Sequence, residues 1–149
     1  MKSAKWENIF KGWDNSESEA VHTLKKIPVF KNLSHKDFNE LENMMHHRDY
    51  KSGDFIFKNR APGEGMYIIM RGSVKITVGT RAGNENVLAE LNQGEFFGEI
   101  ALIQNIRRTA TIFSTTNCRL LVLEAVDFHR LVDQVPELKE HIEQTSEER

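Results

Sequence analysis

Apolar and polar positions change their spacing twice along the chain, and the changes divide it into three regions. From Met1 to about His47 the spacing is helical. Trp6, Ile9, Phe10 and Trp13 fall on one helical face, and Gly12 with Asp14-Asn15-Ser16 breaks that helix. A second apolar set, Ala20, Val21, Leu24 and Ile27, runs up to Pro28. Ser34 then has the character of an N-cap, with Asp37 in the first turn near the positive end of the dipole. Leu33 and Phe38 stand at hydrophobic-staple spacing, and the helix is expected to continue through Leu41, Met44 and Met45.

From about Arg48 to Glu124 the period shortens. Runs of β-branched and aromatic residues alternate with glycine turns. Phe55-Ile56-Phe57, Met66 to Met70, and the alternating Val74, Ile76 and Val78 read as strands. So do Val87, Ala89 and Leu91, then Thr109 to Phe113, and Arg119 to Leu123. Arg81 to Glu85 reads as a hairpin tip. Many short strands with close turns predict a β-barrel or jelly roll. From Ala125 to Arg149 the pattern is helical again. Phe128, Leu131, Val132 and Val135 share a face, Pro136 opens a new helix, and Leu138 and Ile142 extend its apolar side. The polar end, Gln144 to Arg149, is expected to fray.

Composition narrows the function. The 149 residues suit one domain, with 39% hydrophobic and 28% charged residues. A net charge of −2 provides no global attraction for nucleic acid. Cys118 is the only cysteine, so no intramolecular disulfide forms, which fits a reducing cytoplasm. No signal peptide and no apolar run of membrane-spanning length is present. His46-His47 is the only histidine pair, and adjacent histidines on a helix point apart, so no metal site is expected. A metal-dependent jelly-roll enzyme would need ligands inside the barrel, and no histidine stands between His47 and His129. No nucleophile–base–orienter set is legible.

One stretch, Gly94 to Thr111, interrupts the strand pattern. Gly98 lets the backbone approach a ligand closely. A single helical turn opening at Gly98-Glu99 would present unpaired amides to an anion. Arg108 supplies a two-pronged donor suited to phosphate oxygens. Glu99 repels phosphate but can accept hydrogen bonds from a ribose hydroxyl. Each has a duller alternative: Arg108 can pair with a surface acid, Glu99 can stabilise a helix dipole, and Thr109 is an ordinary strand residue.

The string FGEIALIQNIRRTATI resembles the phosphate-binding cassette of cyclic-nucleotide-binding domains. Phe97, Gly98, Glu99, Ile100, Ala101 and Leu102 match its first half; Arg108, Thr109 and Ala110 match its second at the expected distance. SGDFIFKNRAPGEGMYIIMRGSVKI resembles the family's first hairpins, with Gly53, Gly63 and Gly72 at its turns, and IPVFKNLSHKDFNEL resembles its lead-in helix. The resemblance runs from about Pro28 to Val135. It implies a mainly β fold with flanking α, an antiparallel β-roll with N-terminal helices and C-terminal hinge or lid helices, as a stand-alone domain. It divides the chain into a helical extension (1–27), the roll (28–135, cassette 97–111), and a C-terminal helix with a polar tail (136–149).

By the same resemblance, Arg108, with Ala101, Leu102 and Thr109, would hold the cyclic phosphate of cAMP or cGMP. Gly98 and Glu99 would hold the ribose. Phe97, Ile100, Arg107 and Ala110 are further candidates. Arg107 stands where many relatives carry proline, and no aromatic lid follows Phe128, which leaves Val135, Leu138 or Ile142 as apolar lid candidates. The implied function is a regulatory, non-catalytic, cytoplasmic module with no cofactor. It would sense cAMP or cGMP and relay binding by helix movement to an effector protein or a homodimer partner, without binding nucleic acid or membrane by itself. The alternatives are an interaction module of this fold that no longer binds nucleotide, and the sensor fragment of a transcription factor, kinase or channel.

Overall fold

The computed structural model describes residues 18–79 and 85–147. The stripe at Trp6 to Trp13 and most of the Arg81–Glu85 turn lie outside them. Two short helices lead in: α1 (Glu19–Leu24) and, after a 3-10 turn at Pro28–Phe30, α2 (His35–Met44). Six strands follow: β1 (His46–Tyr50), β2 (Phe55–Phe57), β3 (Gly65–Arg71), β4 (Val74–Gly79), β5 (Glu85–Leu91) and β6 (Phe96–Phe97). Helix α3 (Glu99–Gln104) precedes β7 (Thr111–Ser114) and β8 (Cys118–Glu124), and α4 (Ala125–Gln134) and α5 (Pro136–Glu147) close the described chain.

The strands form two antiparallel four-stranded sheets, ordered β1-β8-β3-β6 and β2-β7-β4-β5. This is the expected antiparallel roll flanked by helices. Strands β3 and β8 sit at the centre of the first sheet and separate two cores. Met66, Ile68, Met70, Leu121 and Leu123 face the helices, where they join Leu24, Leu41, Phe128, Leu138 and Ile142. Tyr67, Ile69, Leu120 and Val122 face the other sheet, where they join Val74, Leu91, Phe97 and Ile112. A strand buried on both faces reads as a continuous apolar run, as Met66 to Met70 does. The same division splits Phe96 from Phe97: the first belongs to the helical core, the second to the roll.

Several local expectations are corrected. The pair His46-His47 lies on β1 rather than on a helix, because β1 pairs with β8 in register from His46↔Val122 to Tyr50↔Cys118. The strand is polar because its side chains are mostly exposed. Its ladder is held in part by Arg119, which grips Asp49 through both carboxylate oxygens at 2.8 and 3.1 Å. The alternation assigned to β5 fails at a bulge. Ile76 pairs with Ala89 but Thr77 pairs with Val87, which leaves Leu88 as the extra residue. Thr77 on β4 turns inward and donates to the Thr111 carbonyl, while Val87 and Leu88 are 56% and 62% exposed. Helix α5 includes residues 144–147 of the polar end, and 148–149 lie outside the described residues.

The N-cap at Ser34 is a full capping box. Its hydroxyl accepts from the Asp37 amide at 3.0 Å, and the Asp37 carboxylate accepts from the Ser34 amide at 3.3 Å. No described helix is long and apolar enough to cross a membrane.

Candidate functional site

The site is built where the two cores meet. Strand β6 runs beside β3, with Tyr67 opposite Phe97, and the two rings stack at 5.2 Å and 7°. At Gly98 the backbone turns through φ +88°, a conformation that costs glycine nothing and other residues much. Helix α3 starts at once and lasts six residues, ending at Asn105 in the left-handed region. The chain then returns past the 58–61 loop. The Arg60 amide donates to the Arg108 carbonyl at 2.8 Å, and the Arg108 amide donates to the Ala61 carbonyl at 2.9 Å. This two-bond clamp fixes the Arg108 backbone and sends its side chain inward.

The Arg108 guanidinium is deeply enclosed, with 4% of the residue exposed. Nη1 donates to the Gly98 carbonyl and Nη2 to the Gly65 carbonyl, each at 2.6 Å. The group lies 4.0 Å above the Phe57 ring and 6.0 Å from that of Tyr67. Burial lowers its pKa, while Tyr67, Glu99 and Glu64 pull it back up. Arginine keeps its charge at neutral pH in any case. Among the described residues no carboxylate forms an ion pair with Arg108. Its buried Nε has no hydrogen-bond partner among them. A buried cation held by neutral carbonyls, with an orphaned donor, suits an anion.

Arg108 forms the wall of a small cavity together with Phe57, Phe97, Gly98, Glu99, Ile100, Ala101, Thr109 and Ala110. Eight of the ten residues singled out in the sequence meet there. Leu102 and Arg107 do not. Leu102 packs into the helical core, and both line a separate surface groove beside His129. The Arg107 guanidinium turns away to donate to the Arg60 carbonyl at 3.0 Å. The apolar lid candidates are also corrected: Leu138 and Ile142 are core residues with 1% exposure. From α5, the Ser146 hydroxyl donates to Glu99 Oε2 at 2.6 Å.

Sequence reasoning missed Phe57, Tyr67, the Gly65 carbonyl and Ser146. The first two belong to strands that it did recognise, but which of their faces meets the cassette depends on sheet register. Nothing in the local pattern marks Ser146.

The cavity has a volume of about 60 Å³. Pockets for nucleotide-sized ligands run to roughly 300–1,000 Å³. The donor set fits a phosphate, and the cavity as it stands is smaller than a pocket for a whole nucleotide. Among the described residues, no three His, Cys, Asp or Glu side chains are grouped to hold a metal ion.

Comparison with known proteins bears on the family and the fold. A family model described as the cyclic nucleotide-binding domain matches residues 47–135. The cyclic nucleotide-gated potassium channel of Mesorhizobium japonicum is 32% identical over 123 residues, covering 83% of this chain and 33% of its own length. The cGMP-dependent protein kinase, isozyme 2, of Drosophila melanogaster is 30% identical over 126 residues, covering 83% of this chain and 14% of its own (forms cD5/T2). The chain thus spans a third or less of either relative. The regulatory domain of Toxoplasma gondii PKA, solved with cAMP, superimposes with a TM-score of 0.80. That match covers 87% of this chain and 49% of the other, and at 20% identity it speaks for the fold alone. On the family match and the fold together, this chain belongs to the cyclic nucleotide-binding domain family.

Proposed function

We propose that the chain is a regulatory module that binds cAMP or cGMP between α3 and Arg108 and performs no chemistry of its own. The observation that carries this reading is the buried Arg108 guanidinium, with its orphaned Nε, in the wall of a cavity lined by Gly98 to Ala101. On binding, Arg108 exchanges the Gly98 and Gly65 carbonyls for the exocyclic phosphate oxygens, which are charged and therefore stronger acceptors. The Ala101 amide completes the phosphate cradle. Glu99 and the Gly98 backbone take the ribose 2′-hydroxyl, and Thr109 contacts the phosphate or the purine edge.

The relay follows from packing. Helix α3 rests against both α4 and α5. Opening the cavity displaces α3, and that moves the seat of the terminal helices. A nucleotide shifts this equilibrium only by its differential affinity for the two arrangements. The output is a change in the surface that α4 and α5 offer to an effector protein, a second copy or a neighbouring domain. A cytoplasmic setting suits such a module. We favour cAMP over cGMP as the more widespread ligand.

A thermal-shift comparison of cAMP, cGMP and AMP tests the proposal. A ligand at a hundredfold excess over its Kd stabilises the native state by about 2.7 kcal/mol. For a domain of this size that raises Tm by roughly 5–10 °C. A cyclic nucleotide should do so and AMP should not. No shift with either cyclic nucleotide would favour the second reading, an interaction module that has lost its ligand, for which the contracted cavity is the supporting observation.

A further inference from the structure

The last turn of α5 is polar, yet it is seated. Thr145 and Ser146 both return hydroxyl contacts to the preceding turn, at 3.0 Å to the His141 carbonyl and 2.9 Å to the Ile142 carbonyl. Ser146 Oγ also lies 2.6 Å from Glu99 Oε2. One hydroxyl carries one proton, and the carboxylate is the stronger acceptor of the two. Glu99 has no exposed surface at all. It stands at the start of α3, with the Arg108 cavity on one side. A groove of about 170 Å³ lies between parts of α3 and α5, lined by Ile100, Ile103, Gln104, Glu143 and Ser146. The Ser146–Glu99 bond thus ties the last turn of α5 to the start of α3.

We infer that Ser146 is an intramolecular stand-in for the sugar. Its hydroxyl takes the place on Glu99 that a ribose 2′-hydroxyl needs, so the end of α5 and a cyclic nucleotide compete for one carboxylate. The inference rests on the reading of Glu99 as the ribose acceptor. A carboxylate has lone pairs to spare; what makes the two hydroxyls exclusive is room. Glu99 is fully enclosed, and Ser146 is among the groups that enclose it. Arrival of the sugar releases the last turn of α5, which couples occupancy directly to the C-terminal end of the chain.

Two measurements on the Ser146→Ala and Thr145→Ala variants test this. The first is calorimetric titration with cAMP and with 2′-deoxy-cAMP, which lacks the competing hydroxyl. Ser146→Ala should bind cAMP about 10-fold more tightly than wild type, as expected for loss of one bond to a charged group. It should bind 2′-deoxy-cAMP within about twofold of wild type. Thr145→Ala should leave both affinities unchanged. An unaltered cAMP affinity in Ser146→Ala, or an equal gain for both nucleotides, overturns the competition.

The second is amide hydrogen exchange at the end of α5 without nucleotide. Alanine is the better helix former, so a Ser146 that served only its own helix would give slower exchange on substitution. A fastener gives faster exchange, by about 10-fold. Unchanged or slower exchange overturns the tether whatever the binding data show. A wild-type chain that binds neither nucleotide overturns the ligand reading and the competition with it, while the exchange result still reports separately on the tether.

Discussion

Gly98→Ala probes the corner on which the cassette turns. Gly98 has φ +88°, and a Cβ there would lie 3.0 Å from Arg108 Nη1, 3.1 Å from the Gly65 carbonyl oxygen and 3.4 Å from Tyr67 Cδ1. None of these neighbours gives way freely. The guanidinium is pinned at both ends by 2.6 Å bonds to Gly98 and Gly65, and the carbonyl belongs to β3. Holding an L-residue in the left-handed region costs about 1–2 kcal/mol. Weakening the two charge-assisted bonds adds about 1.5–3 kcal/mol, and the stiffer unfolded chain returns about 0.4–1 kcal/mol. The net loss is about 3 kcal/mol, or roughly 6–12 °C in Tm. Gly94→Ala is the matched control, because Gly94 has φ +86° and nothing lies within 4 Å of an added Cβ. It should lose only the backbone cost less the same unfolded-chain return, a net of about 1 kcal/mol. Urea unfolding of both variants isolates the collision as their difference. Equal losses at the two glycines would refute the claim that Gly98 is required by the proximity of Arg108 and β3.

Tyr67 gives a pH signature. Burial raises its phenol above the usual value near about 10; Tyr50 adds to the rise and Arg108 opposes it. With the folded pKa above the unfolded one, its contribution to stability is complete below about pH 10 and is lost as pH rises through the folded value. Wild type should therefore lose more stability than Tyr67→Phe between pH 8 and pH 11 in urea titrations, and a gap independent of pH would exclude this role. Ser34→Ala removes one half of the capping box on α2 and should cost about 1 kcal/mol, visible as a drop of roughly 2–4 °C in Tm. An unchanged Tm would show that α2 is held by Phe38 and Leu41 alone.

The cassette was legible because its chemistry is local. Gly98, Glu99 and Arg108 lie within a short stretch, and a turn, an acid and a fork-shaped cation leave their mark in residue type. The order helix–roll–helix was legible from the change of apolar period at the two ends of the strands. What escaped was set by partners distant in sequence. Strand β1 has no apolar face and takes its form from β8. The bulge at Leu88 is a matter of register with β4, and it leaves Val87 exposed where alternation alone would bury it. Leu102 lies inside the motif yet faces the helical core, because a short helix presents only part of its circumference to the cavity. Residues 144–147 look frayed from their polarity alone, yet α5 includes them, and Ser146 meets a buried acid 47 positions earlier.

Calorimetric titration of cAMP into the wild-type chain and into folded Arg108→Ala addresses the site most directly. Removing a charge-assisted contact worth about 1.5–3 kcal/mol predicts binding roughly 10- to 100-fold weaker, with Arg108→Lys falling between the two because it keeps the charge and loses the fork. An Arg108→Ala protein that keeps its fold and binds cAMP as tightly as wild type would contradict the account.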